Sequence, residues 1–456
     1  MVALPGPAFP RLGVSHRVFF AIGCVIVISV WNLMEISQKS PGFNPVVPMG
    51  CEAGACDGHD PSGLQRVTDS SGHVYYLTFV TGSGQGEALG VRFMQKGDPT
   101  WRKAKDSYLY PSWIPRYFPV QKMGCAPGQN KACPLWAPDL PSNGNAIRLN
   151  NDMVVFFSVS DFIHGDKSTF CIGVATGSWP KLELKDSGSP VICSNRSQSD
   201  RYGAPHALDP SVSTDANGNT WLTYGSWSNY GRGPHQGSRG GGIWAVSIDP
   251  ETWHLSHQAR KACGDDYPFC FNPLPPTAMP SPGTWVNIAN HRGYHAPDGS
   301  YIDGNAIEAS YLFNYYQQNG YYYLFVNWYW CCRGKNSTYQ IRVGRSDSPL
   351  GHFVDDTGVD MQESGGYLVL NASATSEHQF VGPGHSGILH DKEDDKLYFT
   401  TSYEAIDNKE MQLYAFEMEI DENGWPRMLS QVFTGLPDSH DSSTLKDMYH
   451  WISGSG

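Results

Sequence analysis

The sequence has few charged residues, and its net charge is negative, which is the wrong sign for binding nucleic acid. Only 17% of the 456 residues are charged, and 32 basic side chains face 44 acidic ones, so the formal net charge is −12. Neutralising phosphates requires clustered Lys and Arg, and we therefore expect no nucleic-acid partner. The small charged fraction, together with 40% hydrophobic residues, also excludes a disordered chain.

Long hydrophobic runs are absent except near the N-terminus. Residues 18–33 are almost wholly apolar and follow a basic flank, as in a secretory signal. No small-residue cleavage site follows, and the run is short for a bilayer span. We interpret residues 1–36 as a cytoplasmic stub and an uncleaved signal anchor, with a cleaved signal peptide or a buried soluble helix as alternatives. Both signal interpretations predict an extracellular or lumenal protein, either secreted or held by a type II anchor.

The cysteine spacing does not match a zinc finger, because no pair has suitably placed His partners. An even number of cysteines outside the anchor predicts disulfides, and local pairing is the economical assignment. For Cys331 and Cys332 the sharper prediction is a strained vicinal disulfide; the alternatives are pairing elsewhere and two buried thiols. Sequons at Asn195, Asn336 and Asn371 are typical of a glycoprotein. The near pairs are Cys51/Cys56, Cys125/Cys133, Cys171/Cys193, Cys263/Cys270 and Cys331/Cys332.

Glycine, proline and aromatic residues are abundant. The 49 Gly, 32 Pro and 13% aromatic residues argue against a helical bundle and favour short strands joined by turns. Residues 37–50 are rich in Pro and Gly and are typical of a linker. No break in composition follows until a polar tail at 437–456, so we predict one domain over residues 51–436.

One pattern recurs five times in this domain. An ionisable residue lies in a turn-rich motif, and a strand rich in aromatic or β-branched residues follows it. The copies are separated by roughly 65–100 residues, which fits the blades of a propeller with long loops. We therefore predict an all-β, five-bladed β-propeller whose polar groups meet at a central channel, the alternative being unrelated strand-edge residues. The residues are Asp60 in HDPS, Asp139 in WAPD, Asp209 in LDPS, Glu308 in IEAS and His385 in GPGHSG.

Three carboxylates around one pocket, with many aromatic rings nearby, indicate glycoside hydrolysis. Glu308 follows apolar residues, which favour a protonated general acid. Asp60 lies in a polar segment, which suits an ionised general base. Asp209 is then left to raise the pKa of the acid, although these residue types do not force this division.

In order along residues 57–430, the motifs resemble those of family 43 glycoside hydrolases, particularly the endo-1,5-α-L-arabinanases. CCRGKNSTYQIRVGRS at 331–346 and ENGWP at 422–426 extend the resemblance. It implies an inverting mechanism with Asp60 as base, Asp209 as pKa modulator and Glu308 as acid. It also implies that His385 holds one calcium ion through water at the channel centre.

We expect Asp139, Trp136 and His59 to bind substrate, although Asp139 alternatively bonds loop amides. Two features depart from the arabinanase pattern: Ser386 in HSG replaces the usual Asn, and a Gly- and Arg-rich insertion follows Trp227. The function predicted is cleavage of α-1,5-linked arabinan, a plant-type polysaccharide, by a monomer without an organic cofactor. The alternatives are an exo-acting arabinofuranosidase or β-xylosidase, and a non-catalytic carbohydrate-binding propeller, against which the three carboxylates speak. Membrane contact is expected only through the N-terminal segment.

Overall fold

The structure is a computed structural model that describes residues 51–432, with gaps at 53–54, 83–87, 99, 105–108, 119–134, 142–146, 149–151, 161–168, 196–203, 227–240, 275–278, 282, 293, 296–300, 303–305, 373–379 and 407–409. The chain divides into two compact units, Met1–Gly42 and Phe43–Gly456, and the described residues belong to the second. The predicted anchor, linker and polar tail, the Cys125/Cys133 pair and most of the insertion after Trp227 lie outside them. Within the described part, no helix is both long and apolar enough to cross a membrane.

Strands dominate the described chain and form five antiparallel sheets, which we call blades 1 to 5. Blade 1 contains β1 (Gln65–Thr68), β2 (Val74–Thr81), β3 (Leu89–Gln95) and β4 (Arg102–Lys103). Blade 2 contains β5 (Trp136–Asp139), β6 (Ile147–Arg148), β7 (Asp152–Ser160), β8 (Thr169–Ser178), β9 (Lys185–Asp186) and β10 (Ile192–Asn195). Blade 3 contains β11 (Ser211–Thr214), β12 (Thr220–Tyr224), β13 (Ile243–Ile248) and β14 (Val286–Ala289).

The remaining elements complete the ring. A two-stranded sheet of β15 (Tyr294–His295) and β16 (Tyr301–Ile302) precedes blade 4. Blade 4 contains β17 (Ile307–Asn314), β18 (Tyr322–Trp328), β19 (Gln340–Ser346) and β20 (Tyr367–Leu370), and blade 5 contains β21 (Phe380–Asp391), β22 (Lys396–Ala405), β23 (Met411–Ile420) and β24 (Pro426–Val432). The described helices are short: α1 (Ile114–Tyr117), α2 (His257–Cys263), α3 (Tyr316–Asn319) and 3₁₀ turns at Gly264–Asp266, Gly334–Asn336 and Met361–Glu363.

Four of the blades are simple meanders whose strands pair in chain order, as β1-β2-β3-β4 do. Blade 2 keeps this plan in the order β10-β8-β7-β5. It has two further short strands, β6 beside β7 and β9 beside β8. The predicted all-β, five-bladed propeller is therefore confirmed. The predicted disulfides Cys51–Cys56, Cys171–Cys193 and Cys263–Cys270 are present as well.

The core lies between the blades, because the two faces of a strand point to different neighbours. In β7, Met153 and Val155 pack toward blade 1, whereas Val154 and Phe156 pack toward blade 3. Blades 3 and 4, then 4 and 5, share further apolar clusters. A fifth cluster, in which Tyr76 meets residues of blade 5, closes the ring. Central strands such as β7 and β18 are buried on both faces, which explains why their short sequences are mostly apolar.

Candidate active site

A left-handed residue lies in or just before the first strand of every blade. These residues are Asp60 (φ 49°), Ala137 (φ 45°), Asp209 (φ 53°), Ala309 (φ 53°) and His385 (φ 58°). Positive φ is uncommon outside glycine, and Asp and His tolerate it better than most residues. Asp60, Asp209 and His385 therefore occupy equivalent positions. The five predicted motif residues are not in one register, because Glu308 precedes the equivalent residue of blade 4 and Asp139 follows that of blade 2 by two positions.

Asp60 lies among positively charged and hydrogen-bonding partners. Thr81 Oγ1 donates to Asp60 Oδ2 at 2.6 Å, and His59 Nε2 lies 3.2 Å from Asp60 Oδ1. His385 Nδ1 is 3.7 Å from the same oxygen. Burial alone raises a carboxyl pKa, but these partners hold the pKa of Asp60 well below its usual range. Asp60 is therefore ionised at neutral pH, and its side chain keeps 17% exposure.

Glu308 has the opposite electrostatic environment. Burial, followed by the negative charges of Asp209 and Asp60, raises the pKa of Glu308 to about 8. Tyr339 donates its hydroxyl to Glu308 Oε1 at 2.8 Å, and this bond opposes the rise in pKa. Glu308 is therefore protonated at neutral pH in the same site where Asp60 is ionised.

Asp209 is fixed between three blades. Its amide donates to Ser158 Oγ at 3.0 Å, and its Oδ2 accepts from the amide of Ala309 at 3.0 Å. Burial raises the pKa of Asp209 to about 6, with Asp60 adding to the rise and His385 opposing it. The bond to Ala309 ties Asp209 to the residue that follows Glu308, so its charge is held close to the acid.

His385 is buried at the meeting point of the carboxylates, with 4% exposure. Its amide donates to Asn327 Oδ1 at 3.0 Å, and Asn327 Nδ2 donates to the Pro383 carbonyl at 3.0 Å. Burial lowers the pKa of an imidazole, but the nearby charges of Asp60, Asp209 and Asp139 raise the pKa of His385 above its ordinary value. Carboxyl groups from three blades therefore act on this ring, and a residue of blade 4 holds its backbone.

Two of the residues predicted to bind substrate lie in blade 2. Asp139 is buried, and its Oδ2 accepts from the amide of Val212 in blade 3 at 3.3 Å, as in the alternative that assigned it to amide bonding. Burial raises the pKa of Asp139 to about 7. Trp136 is half-buried and pairs with Ser158 across β5 and β7. Substrate contact by either residue stays a prediction.

Sequence reasoning missed several polar residues that lie at this centre. Thr81 bonds Asp60 and also accepts from the amide of Ala137 at 3.0 Å, which joins blades 1 and 2. Asn327 and Tyr339 similarly position His385 and Glu308. Thr81 and Asn327 occupy the ends of the apolar second strands of their blades. A polar residue near the end of an apolar strand was visible in the sequence and could have indicated these two residues.

Cys331 and Cys332 are thiols in the structure, not the vicinal disulfide that was the sharper prediction. Adjacent Cα atoms across a trans peptide are about 3.8 Å apart, closer than the usual disulfide separation, so closure requires strain. Cys332 is exposed and Cys331 is half-buried, which also differs from two buried thiols. With His59, both thiols form a group in which one donor atom from each residue lies within 4.8 Å of the others.

The calcium expectation concerns a different ring, that of His385. Calcium prefers oxygen ligands. Within the described residues, the only group of three His, Cys, Asp or Glu donors close enough to share an ion is His59, Cys331 and Cys332. No such set of protein ligands surrounds His385 in the described part of the chain. The expectation of a calcium ion held through water therefore stays a prediction.

Comparisons with known proteins agree with this architecture. The family profile described as "Glycosyl hydrolases family 43" matches residues 113–426. An extracellular exo-α-(1→5)-L-arabinofuranosidase of Cellvibrio japonicus is 28% identical over 405 residues, which cover 87% of this chain and 92% of that protein. An extracellular endo-α-(1→5)-L-arabinanase of Bacillus subtilis is 28% identical over 377 residues, or 81% and 86% of the two chains.

A solved structure extends the comparison to three dimensions. The endo-arabinanase from Bacillus licheniformis matches with a TM-score of 0.55 and 26% identity. The match covers 82% of this chain and 97% of that one. The similarity therefore spans nearly the whole length of the solved enzyme.

Proposed function

The chain belongs to glycosyl hydrolases family 43, and on that premise we propose that it is an inverting endo-arabinanase that cleaves α-1,5-linked L-arabinan. One observation carries the proposal: Asp60, a carboxylate with a lowered pKa, is one of the charges that raise the pKa of Glu308, so the two carboxyl groups share one site. Opposite shifts in neighbouring carboxyl groups are the arrangement required for paired base and acid catalysis.

The protonated Glu308 gives its proton to the glycosidic oxygen as the bond to the anomeric carbon breaks. The ionised Asp60 takes a proton from the water molecule that attacks the anomeric carbon from the opposite face, so the configuration inverts. The charge of Asp209 keeps the proton on Glu308 until the leaving oxygen accepts it. Thr81 and His59 keep Asp60 ionised.

The two relatives are named as an exo-α-(1→5)-L-arabinofuranosidase and an endo-α-(1→5)-L-arabinanase, and both as extracellular proteins, which supports arabinan as substrate and a secreted enzyme. Exo-acting release of arabinose is the second candidate, and the Cellvibrio japonicus relative favours it. In either mode the same three carboxyl groups perform the chemistry.

We also propose that His385 associates with a hydrated divalent cation, calcium being the expected ion. Support comes from the charges of three carboxyl groups, those of Asp60, Asp209 and Asp139, which act on one buried imidazole. A bound cation offsets neighbouring negative charge. Removing it with a chelator should lower the unfolding midpoint and the activity, and adding calcium back should restore both.

The deciding experiment follows products over time on linear, debranched arabinan. We expect arabino-oligosaccharides early and short products late, whereas release of a single product from the first minutes identifies exo action. NMR of the first product should show the inverted anomer. Retention of configuration contradicts the assignment of Asp60 as base.

Glu308→Ala tests the acid. Loss of a general acid lowers the rate by about 10²–10⁴. Glu251→Ala, in an exposed turn, is the matched control and should leave the rate unchanged. Near-normal turnover by a folded Glu308→Ala variant contradicts the proposed mechanism.

A further inference from the structure

Next to the proposed base lies a donor group whose two thiols the acid–base chemistry does not use. It consists of His59, Cys331 and Cys332, and one donor atom from each lies within 4.8 Å of the other two. We propose that these three residues form a binding site for a thiophilic divalent cation, Zn²⁺ or Cd²⁺, and that an ion bound there inhibits the enzyme. The site goes beyond the proposed function, and only its inhibitory effect depends on that function.

The dithiol lies in a segment that hydrogen bonds hold in place. Trp330 precedes it, and the Trp330 carbonyl accepts from the amide of Thr338 at 3.0 Å and from Ser337 Oγ at 3.1 Å. These bonds close the segment 330–338 into a loop. Cys332 takes a left-handed conformation within it, with φ 65°.

A buried carboxylate anchors the other side of the same loop. Glu404, in β22, has 0% exposure. Its carboxylate accepts from the amide of Arg333 at 3.2 Å and from the amide of Gly334. The backbone directly after the two cysteines is thereby tied to blade 5, so the thiols are presented from a prearranged loop.

His59 completes the group from blade 1, more than 270 residues away in the sequence. Its carbonyl accepts from the amide of Thr81 at 2.8 Å, which fixes its backbone at the end of β2. The His59 side chain is 34% exposed, Cys332 is exposed and Cys331 is half-buried. A solvated ion can therefore reach all three donors.

The chemistry of the donors selects the ion. Two sulfurs and one imidazole nitrogen suit Zn²⁺ and other thiophilic cations, whereas calcium requires oxygen. Three protein ligands leave one position open, as in zinc sites that keep a water. Binding converts both thiols to thiolates and requires a neutral imidazole, so the two thiol protons and the extra ring proton of a charged His59 are released to solvent.

Inhibition follows from the position of His59. Its Nε2 lies 3.2 Å from Asp60 Oδ1, so an ion on the imidazole changes a direct partner of the base. The two thiolates offset the charge of the ion, so we expect inhibition to come from the changed His59 contact and from the bulk of the ion and its bound water beside Asp60. We expect the apparent affinity for arabinan to fall as Zn²⁺ is added.

The test uses the full-length protein, reduced with a phosphine and freed of metal. Cd²⁺ is titrated while the ultraviolet absorption of the thiolate–cadmium bond is followed. We expect saturation at one ion per chain, and loss of the band in Cys331→Ser and in Cys332→Ser. Oxidation of the wild type with diamide should also remove the band. His73→Ala, an exposed histidine beside Asp69, is the control and should keep it.

Zn²⁺ inhibition is measured on the same proteins. We expect either serine variant to need at least ten times more Zn²⁺ for half inhibition than the wild type. Near-ultraviolet circular dichroism confirms that each variant is folded.

No cadmium band in reduced wild type, or a band that survives in a folded Cys331→Ser and Cys332→Ser double variant, overturns the site. Zn²⁺ inhibition that persists in that double variant overturns the inhibitory role. A protein that shows the band but does not cleave arabinan supports the site and contradicts the proposed function instead.

Discussion

Two sets of aspartates recur around the propeller, and their surroundings differ. Asp60 and Asp209 lie at the centre, where each is near other charged side chains. The other set begins tight turns of sequence Asp-x-x-Gly, in which the glycine has positive φ. These turns are Asp69–Gly72, Asp215–Gly218, Asp355–Gly358 and Asp421–Gly424.

The turn aspartates share one hydrogen-bond pattern. In each, the carboxylate accepts from the amides two and four residues later, as Asp215 does from Asn217 and Asn219 at 2.9 Å. Such bonds stabilise the ionised carboxylate, and the pKa of Asp69 and that of Asp355 are lowered even though burial opposes the shift. A turn aspartate therefore stabilises the fold, whereas the centre contains carboxyl groups that burial disfavours as anions.

Among the variants, Glu308→Gln should show the largest effect, a loss of activity at the centre together with a gain in stability. Activity should fall by about 10²–10⁴, because the general acid is lost. The folded state raises the pKa of Glu308, so above its ordinary pKa of 4.5 the unfolded chain releases a proton that the folded chain still holds, and the stability of the fold falls as pH rises. Thermal unfolding at neutral pH should therefore occur at a higher temperature in the variant. A lower midpoint contradicts this account of the centre.

Asp215→Ala should show the reverse: activity retained and stability lost. Asp215 is 9% exposed and also accepts from Trp221 Nε1 at 3.1 Å. Hydrogen bonds to a charged group contribute about 1.5–3 kcal/mol, so we expect a loss of at least about 2 kcal/mol in urea unfolding. Asp215→Asn keeps one acceptor oxygen and should lose less. Equal losses in the two variants speak against the role of the hydrogen bonds.

The pH dependence of kcat/KM distinguishes the effects of Asp209 and Tyr339 on the pKa of Glu308. In wild type, kcat/KM should fall as pH rises through about 8, where Glu308 loses its proton. Asp209→Asn removes a charge that raises the pKa of Glu308, so the alkaline limb should move to lower pH. Tyr339→Phe removes a hydrogen bond that lowers this pKa, so the limb should move to higher pH. Shifts in the same direction contradict the assignment.

The smallest effect is expected at an exposed turn, in Asp69→Asn. The pKa of Asp69 is lower in the folded state than its ordinary 3.8. Its contribution to stability is therefore full above that value and is lost as pH falls through the folded pKa. The difference in urea midpoint between wild type and variant should be small at neutral pH and should vanish in acid. A difference independent of pH points to a cause other than ionisation.

Much of the fold was predictable because local patterns encode it. Apolar second strands, turn signals and the fivefold recurrence predicted the propeller, and the near pairs of cysteines predicted the three disulfides of the described residues. The five ionisable residues do not occupy equivalent positions, because the left-handed residue is Ala137 in blade 2 and Ala309 in blade 4. A backbone conformation, not an ionisable side chain, is what repeats.

The partners of the centre were less accessible to sequence reasoning. Thr81 and Asn327 are marked in the sequence only as polar residues near the ends of apolar strands, and Tyr339 has no such mark. Their roles depend on hydrogen bonds to residues of other elements. The state of Cys331 and Cys332 was equally undetermined, since adjacency in sequence permits either a disulfide or two thiols. His59 could not be associated with them from spacing.

By itself, the sequence determined the number of blades, one strand in each blade and the chemical types of acid and base, because these depend on residues close together in the chain. Only the tertiary structure decided which carboxyl group keeps its proton and which ring lies beside which thiol. A pKa depends on burial and on charges within a few ångströms, and residues as far apart as Asp60 and Glu308 become neighbours only when the blades close into a ring.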